Sequence, residues 1–154
     1  MIEIVTLFDR PAFIPIVAQW NWEQWSDLLP VDSCDAFAAD LRARTRRDGI
    51  PITFLALDGG VPIATSSLIA DDLETRPELT PWLASLYVVP ARRGGGLGAM
   101  LAKHAVEAAR SFGIGTLYLY TPGKEAFYRR LGWEFVEATH FRGHAITIMR
   151  QRLA

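Results

Sequence analysis

The stretch of this chain best suited to chemistry is Leu86-Tyr87-Val88-Val89-Pro90-Ala91-Arg92-Arg93-Gly94-Gly95-Gly96-Leu97-Gly98-Ala99. An apolar, β-branched run feeds a turn with four glycines in five positions, two arginines precede the glycines, and an apolar helical pattern follows. Glycine accepts positive φ and lets a ligand approach the backbone. Several amide N–H groups then converge on one anion at the positive end of a helix dipole. Arg92 and Arg93 add charge where a pyrophosphate would lie. A phosphate-bearing small ligand is the chemistry that this pattern suits.

Two familiar phosphate sites do not fit. A P-loop ends in Gly-Lys-Ser/Thr, whereas Gly98 is followed by Ala99-Met100. Gly94-x-Gly96-x-x-Ala99 formally matches the dinucleotide fingerprint, but that turn must follow its strand directly and here Pro90-Ala91-Arg92-Arg93 intervenes. The next strand also finishes Leu119-Tyr120-Thr121, with no acid to meet a ribose.

Arg93-Gly94-Gly95-Gly96-Leu97-Gly98, preceded by Leu86-Tyr87-Val88-x-Pro90 and followed by Ala126-Phe127-Tyr128-Arg129-Arg130-Leu131-Gly132-Trp133, resembles the GNAT superfamily of N-acetyltransferases. The family's acetyl-CoA motif is Arg/Gln-x-x-Gly-x-Gly/Ala, and its later segment reads Tyr-x-x-x-Gly-Phe. These motifs span residues 82–137, and the element order extends the likeness to nearly the whole chain. The resemblance implies acetyl-CoA as co-substrate, no metal, and direct transfer of the acetyl group to a primary amine on a small molecule or peptide. Backbone groups of Leu86, Tyr87 and Val88 would hold the pantetheine arm as an added strand would, and an N–H there would polarise the thioester carbonyl. Arg93, Gly94, Gly95, Gly96, Leu97, Gly98 and Ala99 would cradle the pyrophosphate. Tyr128 matches the general acid that protonates the departing thiolate, with Phe127 packing under the cofactor; an aromatic packing role is the other reading of Tyr128.

The chain departs from the family in two places. The asparagine that often follows the strand at 116–121 is missing from the short loop Thr121-Pro122-Gly123-Lys124, where Thr121 is the nearest stand-in. No general base is evident. Asp71, Asp72, Glu74 and Glu78 are placed before the central strand as candidates or as solvated loop charges, with Ser85 and Tyr87 as further alternatives and His140 and His144 bracketing the last turn. Trp20, Trp22 and Trp25 read either as core or as a cation–π wall for a cationic acceptor. Cys34 reads as a buried thiol. A catalytically silent acyl-CoA-binding or sensor module, and an acyltransferase that uses a longer acyl-CoA, remain alternatives.

The elements that must position these residues follow from periodicity and breakers. Residues 2–8 alternate as a strand, and residues 13–25 and 33–47 read as helices. Residues 52–57 and 61–70 form a hairpin around Asp58-Gly59-Gly60. A strand at 82–89, a helix from 97 to Phe112, a strand at 116–121, a short helix at 124–131 and a closing pair at 133–141 and 145–153 complete the order. The expectation is one domain over residues 1–154. Its fold class is α/β (a mixed α+β sheet), GNAT-like, with a mostly antiparallel, splayed central sheet flanked by helices.

Composition narrows the function classes. The chain has 154 residues, 50% hydrophobic and 21% charged, which excludes a disordered or fibrous protein. No apolar run reaches a membrane-spanning length, and Met1-Ile2-Glu3-Ile4-Val5 does not read as a signal peptide. One cysteine allows no intramolecular disulfide, so a cytoplasmic location is expected. A formal net charge of -1 gives no support for nucleic-acid binding. The charge is uneven, with seven acids against one base in residues 1–41 and a balance of +6 over residues 91–154. A basic second half suits a polyanionic small ligand or a solvated face. The resemblance also allows a homodimer, with residues 133–153 offering an edge strand.

Overall fold

Ile52–Asp58 (β2) and Val61–Ile69 (β3) are apolar enough to be buried along most of their length, and they pair antiparallel around Gly59 and Gly60. Both glycines have positive φ, +57° and +86°, as a two-residue hairpin turn requires. The computed structural model describes residues 1–153; Ala154, the last residue of the expected domain, lies outside them. Around this hairpin the described residues build one seven-stranded sheet. Its strands are Ile2–Thr6 (β1), β2, β3, Trp82–Val88 (β4), Thr116–Thr121 (β5), Glu134–Phe141 (β6) and His144–Arg152 (β7), in the order β1-β2-β3-β4-β5-β7-β6. Every neighbouring pair is antiparallel except β4 and β5. Four helices, Ile14–Trp25 (α1), Cys34–Arg44 (α2), Leu97–Ser111 (α3) and Glu125–Arg130 (α4), complete the chain.

The sheet is the middle layer. Leu97, Leu101, Ala102, Ala105 and Ala109 recur at helical spacing and pack the inner stripe of α3 on Phe54, Ala64, Leu83, Leu117 and Leu119. On the other face Ile14, Val17, Trp20, Phe37 and Leu41 of α1 and α2 bury Leu55 and Leu57. Three buried hydroxyls interrupt that second face. The Thr65 hydroxyl donates to the Phe54 carbonyl at 2.7 Å, and Thr53 Oγ1 and Ser67 Oγ lie 2.8 Å apart. Thr53→Val would strand the Ser67 hydroxyl and is expected to lower unfolding free energy by about 1–3 kcal/mol. Urea denaturation checks this, and an unchanged midpoint would show that the pair contributes nothing.

Element boundaries differ from the sequence reading where side chains close an end. The first strand stops at Thr6, whose hydroxyl accepts from the Asp9 amide at 3.3 Å and starts a short 3-10 turn over Leu7–Asp9. The second helix opens at Cys34, capped by Ser33 Oγ accepting from the Ala36 amide at 3.0 Å, and ends at Arg44 because Thr45 turns extended. Arg46 then bridges to Ile52. Cys34 is half-buried against the α1–α2 cluster, where a buried thiol was expected: its place at the first helical position leaves one side open. No helix of the described residues is long and apolar enough to cross a membrane.

Candidate active site

The site begins with one extra residue in β4. Thr65 of β3 pairs with Tyr87 and Ser67 with Ala84, so Ser85 and Leu86 together face Ser66 alone. Ser85 takes φ +58°, a left-handed conformation that costs a non-glycine residue about 1–2 kcal/mol. The bulge resets the alternation of the strand. Trp82, Ala84 and Tyr87 contribute to the clusters on the α1 side, while Leu83, Leu86 and Val88 pack with α3.

The bulge coincides with an opening in the sheet. The only register pair between β4 and β5 is Trp82↔Tyr118, supported by the Tyr118 amide donating to the Pro81 carbonyl at 3.0 Å. Beyond it the two strands diverge, so Leu86, Tyr87 and Val88 pair with β3 on one edge and have no β5 partner on the other. Unpaired strand edges invite a further extended partner. A cleft of about 810 Å³ opens there.

The far end of β4 leads to the glycine turn. Pro90–Arg92 form a 3-10 turn, after which Gly94 and Gly96 take φ +84° and +88°. Gly96 is the N-cap of α3 and no side chain caps that helix, so the amides of its first turn, Leu97, Gly98 and Ala99, lack an intrahelical acceptor. Gly94, Gly96, Leu97, Gly98 and Ala99 all line the cleft, whereas Gly95 does not. At Gly98 a Cβ would meet the Phe127 ring at 3.4 Å, an ordinary contact, so α3 and α4 lie side by side at this point.

The two arginines are divided between structure and site. Arg92 donates to Asp58 Oδ2 at 2.9 Å, and with the N-terminal ammonium it holds the Asp58 carboxyl below the usual carboxylate range. Arg93 donates through Nε to the Val88 carbonyl at 2.8 Å and lies over the Tyr87 ring, 5.4 Å from its centroid. That places its guanidinium between the splayed strand and the glycine turn. Both arginines line the cleft.

Across the cleft stand Thr121, Phe127 and Tyr128. The Thr121 hydroxyl accepts from the Lys124 amide at 3.2 Å and so shapes the loop into α4. The Tyr128 ring packs edge-on against Phe127 at 5.0 Å and Trp133 at 6.1 Å. Burial pushes its phenol up to about 12, so at neutral pH it is a protonated O–H donor. Of the residues weighed in the sequence, the cleft gathers Leu86, Tyr87, Val88, Arg93, Gly94, Gly96, Leu97, Gly98, Ala99, Thr121, Phe127 and Tyr128.

The remaining candidates scatter. Trp20 is buried and stacks on Tyr87 at 5.3 Å; Trp25 meets the same ring edge-on and lines the cleft, and Trp22 does not. Asp72 lines the cleft, while Asp71, Glu74 and Glu78 do not. Glu74 is bound by Arg142 at 3.3 Å, and His144 Nε2 sits 2.6 Å from Asp27 Oδ2, outside the lining. Sequence reasoning passed over Tyr120, Leu28 and Leu29, which also line it. The signal for Tyr120 was present in the alternation Leu117, Tyr118, Leu119, Tyr120, which sends the tyrosines to one face together.

A mostly antiparallel sheet that splays at its single parallel junction, beside a glycine-rich helix start, is the architecture of one class of acyl-transfer proteins. Residues 14–133 match the model of the acetyltransferase (GNAT) family, and the chain belongs to that family. The fold agrees with that of an aminoglycoside 6'-N-acetyltransferase solved with coenzyme A (TM-score 0.75, 18% identity, 99% of this chain and 97% of that one). It also agrees with a Salmonella typhimurium protein solved with its cofactor acetyl-CoA (TM-score 0.73, 20% identity, 99% and 94%). An acetyltransferase of the GNAT family from Streptococcus pneumoniae gives TM-score 0.71 at 17% identity, with 100% of both chains covered. No curated protein matches the sequence. Among the described residues no group of His, Cys, Asp and Glu is arranged to hold a metal ion.

Proposed function

We propose that the chain is a single-domain N-acetyltransferase that moves an acetyl group from acetyl-CoA to a primary amine by direct transfer. The observation that carries this reading is the opened edge of β4, which runs from the bulge at Ser85 to the free amides at the start of α3 with Tyr128 lining the opposite wall. The left-handed Gly94 and Gly96 and the uncapped start of α3 fit a long, thin, phosphate-bearing ligand.

Acetyl-CoA supplies an activated thioester. The backbone groups of Leu86, Tyr87 and Val88 accept its amide arm as β5 would accept a strand, and an N–H of this edge stabilises charge on the thioester oxygen. The amides from Gly94 to Ala99, with Arg93, hold the pyrophosphate; Gly95 contributes by backbone conformation, since it lies off the cleft lining. Thr121 shapes the loop beside the arm and Phe127 packs beneath it. Holding amine and thioester in one orientation supplies most of the acceleration. Tyr128 donates its phenolic proton to the departing sulfur.

The raised Tyr128 pKa has a direct consequence for pH dependence. The acid form is the active one and persists below about 12, so no loss of kcat/KM assignable to this tyrosine is expected between pH 8 and about 10. A pH–rate profile measured by thiol release checks it. An alkaline limb that is present in the wild type and disappears in Tyr128→Phe would contradict it.

A further inference from the structure

The Tyr87 side chain lies on the α1 side of the sheet and has three planar neighbours. Trp20, itself buried, stacks on it with centroids 5.3 Å apart and planes 23° from parallel. Trp25 meets the ring edge-on at 6.3 Å, and Arg93 lies over it with Cζ 5.4 Å from the centroid. The same guanidinium donates from Nε to the Val88 carbonyl at 2.8 Å. That carbonyl turns to the opened edge of β4. The next amide along the chain, of Val89, donates across to Ile63 at 3.0 Å, and successive residues of an antiparallel strand alternate between the two sides.

The two arginines before the glycines are therefore fixed by different chemistry. Arg92 is neutralised by the Asp58 carboxylate at 2.9 Å. Arg93 is held by a neutral carbonyl and an aromatic face, which set the plane of the guanidinium without cancelling its charge. Nε is committed to the strand, which leaves the two Nη groups to meet an anion. An arginine on a mobile side chain gives up rotamer freedom when it meets its anion, whereas one already stacked and hydrogen-bonded has given up much of it beforehand.

Resting on the acetyl-CoA reading above, we infer that the Tyr87 ring is a positioning residue for the cofactor's pyrophosphate: steadied by Trp20 and Trp25, it fixes the plane of Arg93, and Arg93 meets the phosphates. The ring carries this effect and the phenolic oxygen has no part in it. The arrangement also ties the pyrophosphate end of the cleft to α1, the helix that supplies both tryptophans.

The test is calorimetric titration of acetyl-CoA into the full chain and its variants. Arg93→Ala should weaken binding by about 10-fold, and Tyr87→Leu by about 5- to 10-fold, the scale of one well-ordered cation–π contact. Tyr87→Phe restores the ring and should recover most of that loss. The double variant Tyr87→Leu, Arg93→Ala should bind within about 2-fold of Arg93→Ala alone, because a residue that acts through Arg93 then has nothing left to position. A ring that only packs the fold would give losses that multiply. Arg93→Lys leaves the aromatic packing in place and keeps the charge, yet should still lose about 5-fold because an ammonium lacks the planar fork. That variant decides the matter if Tyr87→Leu does not fold. Wild-type affinity in Tyr87→Leu or in Arg93→Lys, multiplied losses in the double variant, or a Tyr87→Phe as weak as Tyr87→Leu would overturn the positioning role alone. A wild-type protein that does not bind acetyl-CoA would overturn the cofactor reading, and the positioning role with it.

Discussion

Tyr128→Phe is expected to lower kcat by about 100-fold or more, the usual scale for removing a general acid, while the affinity for acetyl-CoA stays within about 3-fold of wild type. The substitution deletes one oxygen from a ring that packs through its carbons on Phe127 and Trp133, so the walls of the cleft keep their shape. Only the phenolic O–H is lost. Stopped assays of acetylated product, with calorimetric titration of acetyl-CoA alongside, separate the two quantities. A drop in kcat with binding intact assigns the acid. Unchanged kcat would leave Tyr128 as a packing residue, and a wild-type chain that binds acetyl-CoA yet acetylates no amine would favour a silent binding module.

Gly96→Val is the second large effect. Gly96 sits at φ +88° and ψ +2° as the cap of α3, a conformation in which a β-branched side chain clashes with its own backbone. Its neighbourhood is open, with no atom beyond its two chain neighbours within 4 Å of the position a Cβ would take, so the penalty arises from the local backbone. Relieving it turns the amides of the first helical turn away from their common target. Losing one or two charge-assisted N–H contacts is expected to weaken acetyl-CoA binding by about 100-fold. Arg93→Ala should cost less, because Nε of Arg93 already serves the Val88 carbonyl and only the rest of the guanidinium faces the ligand. Calorimetry on the two variants ranks them, and an affinity for Gly96→Val equal to wild type would remove the glycine turn from the account.

Much of the fold was legible because its signals are local. Asp58-Gly59-Gly60 between apolar runs gives the hairpin, and the spacing of Leu97, Leu101, Ala105 and Ala109 gives the buried stripe of α3. The glycine turn was equally plain, since four glycines after two arginines have few structural uses. What stayed hidden depends on partners far along the chain. Nothing around Ser85 announces a left-handed residue; the bulge arises because Thr65 and Ser67 fix the register of β3 on either side. Arg92 belongs partly to Asp58, 34 positions away, and His144 to Asp27, 117 positions away. Asp72 could be placed by sequence only as one of several loop acids. It separates from Asp71, Glu74 and Glu78 once the fold turns it toward Tyr120.

The central claim is that the splayed edge of β4 and the glycine turn together hold acetyl-CoA, and a thermal-shift titration with acetyl-CoA, CoA, NADH and ATP tests it most directly. Ligand at about 100 times its Kd adds about 2.7 kcal/mol to native stability. For a chain of this size that raises Tm by about 5–10 °C. Such a rise is expected with acetyl-CoA and CoA, and its loss is expected in Gly96→Val. No rise with either, or a larger one with NADH, would contradict it.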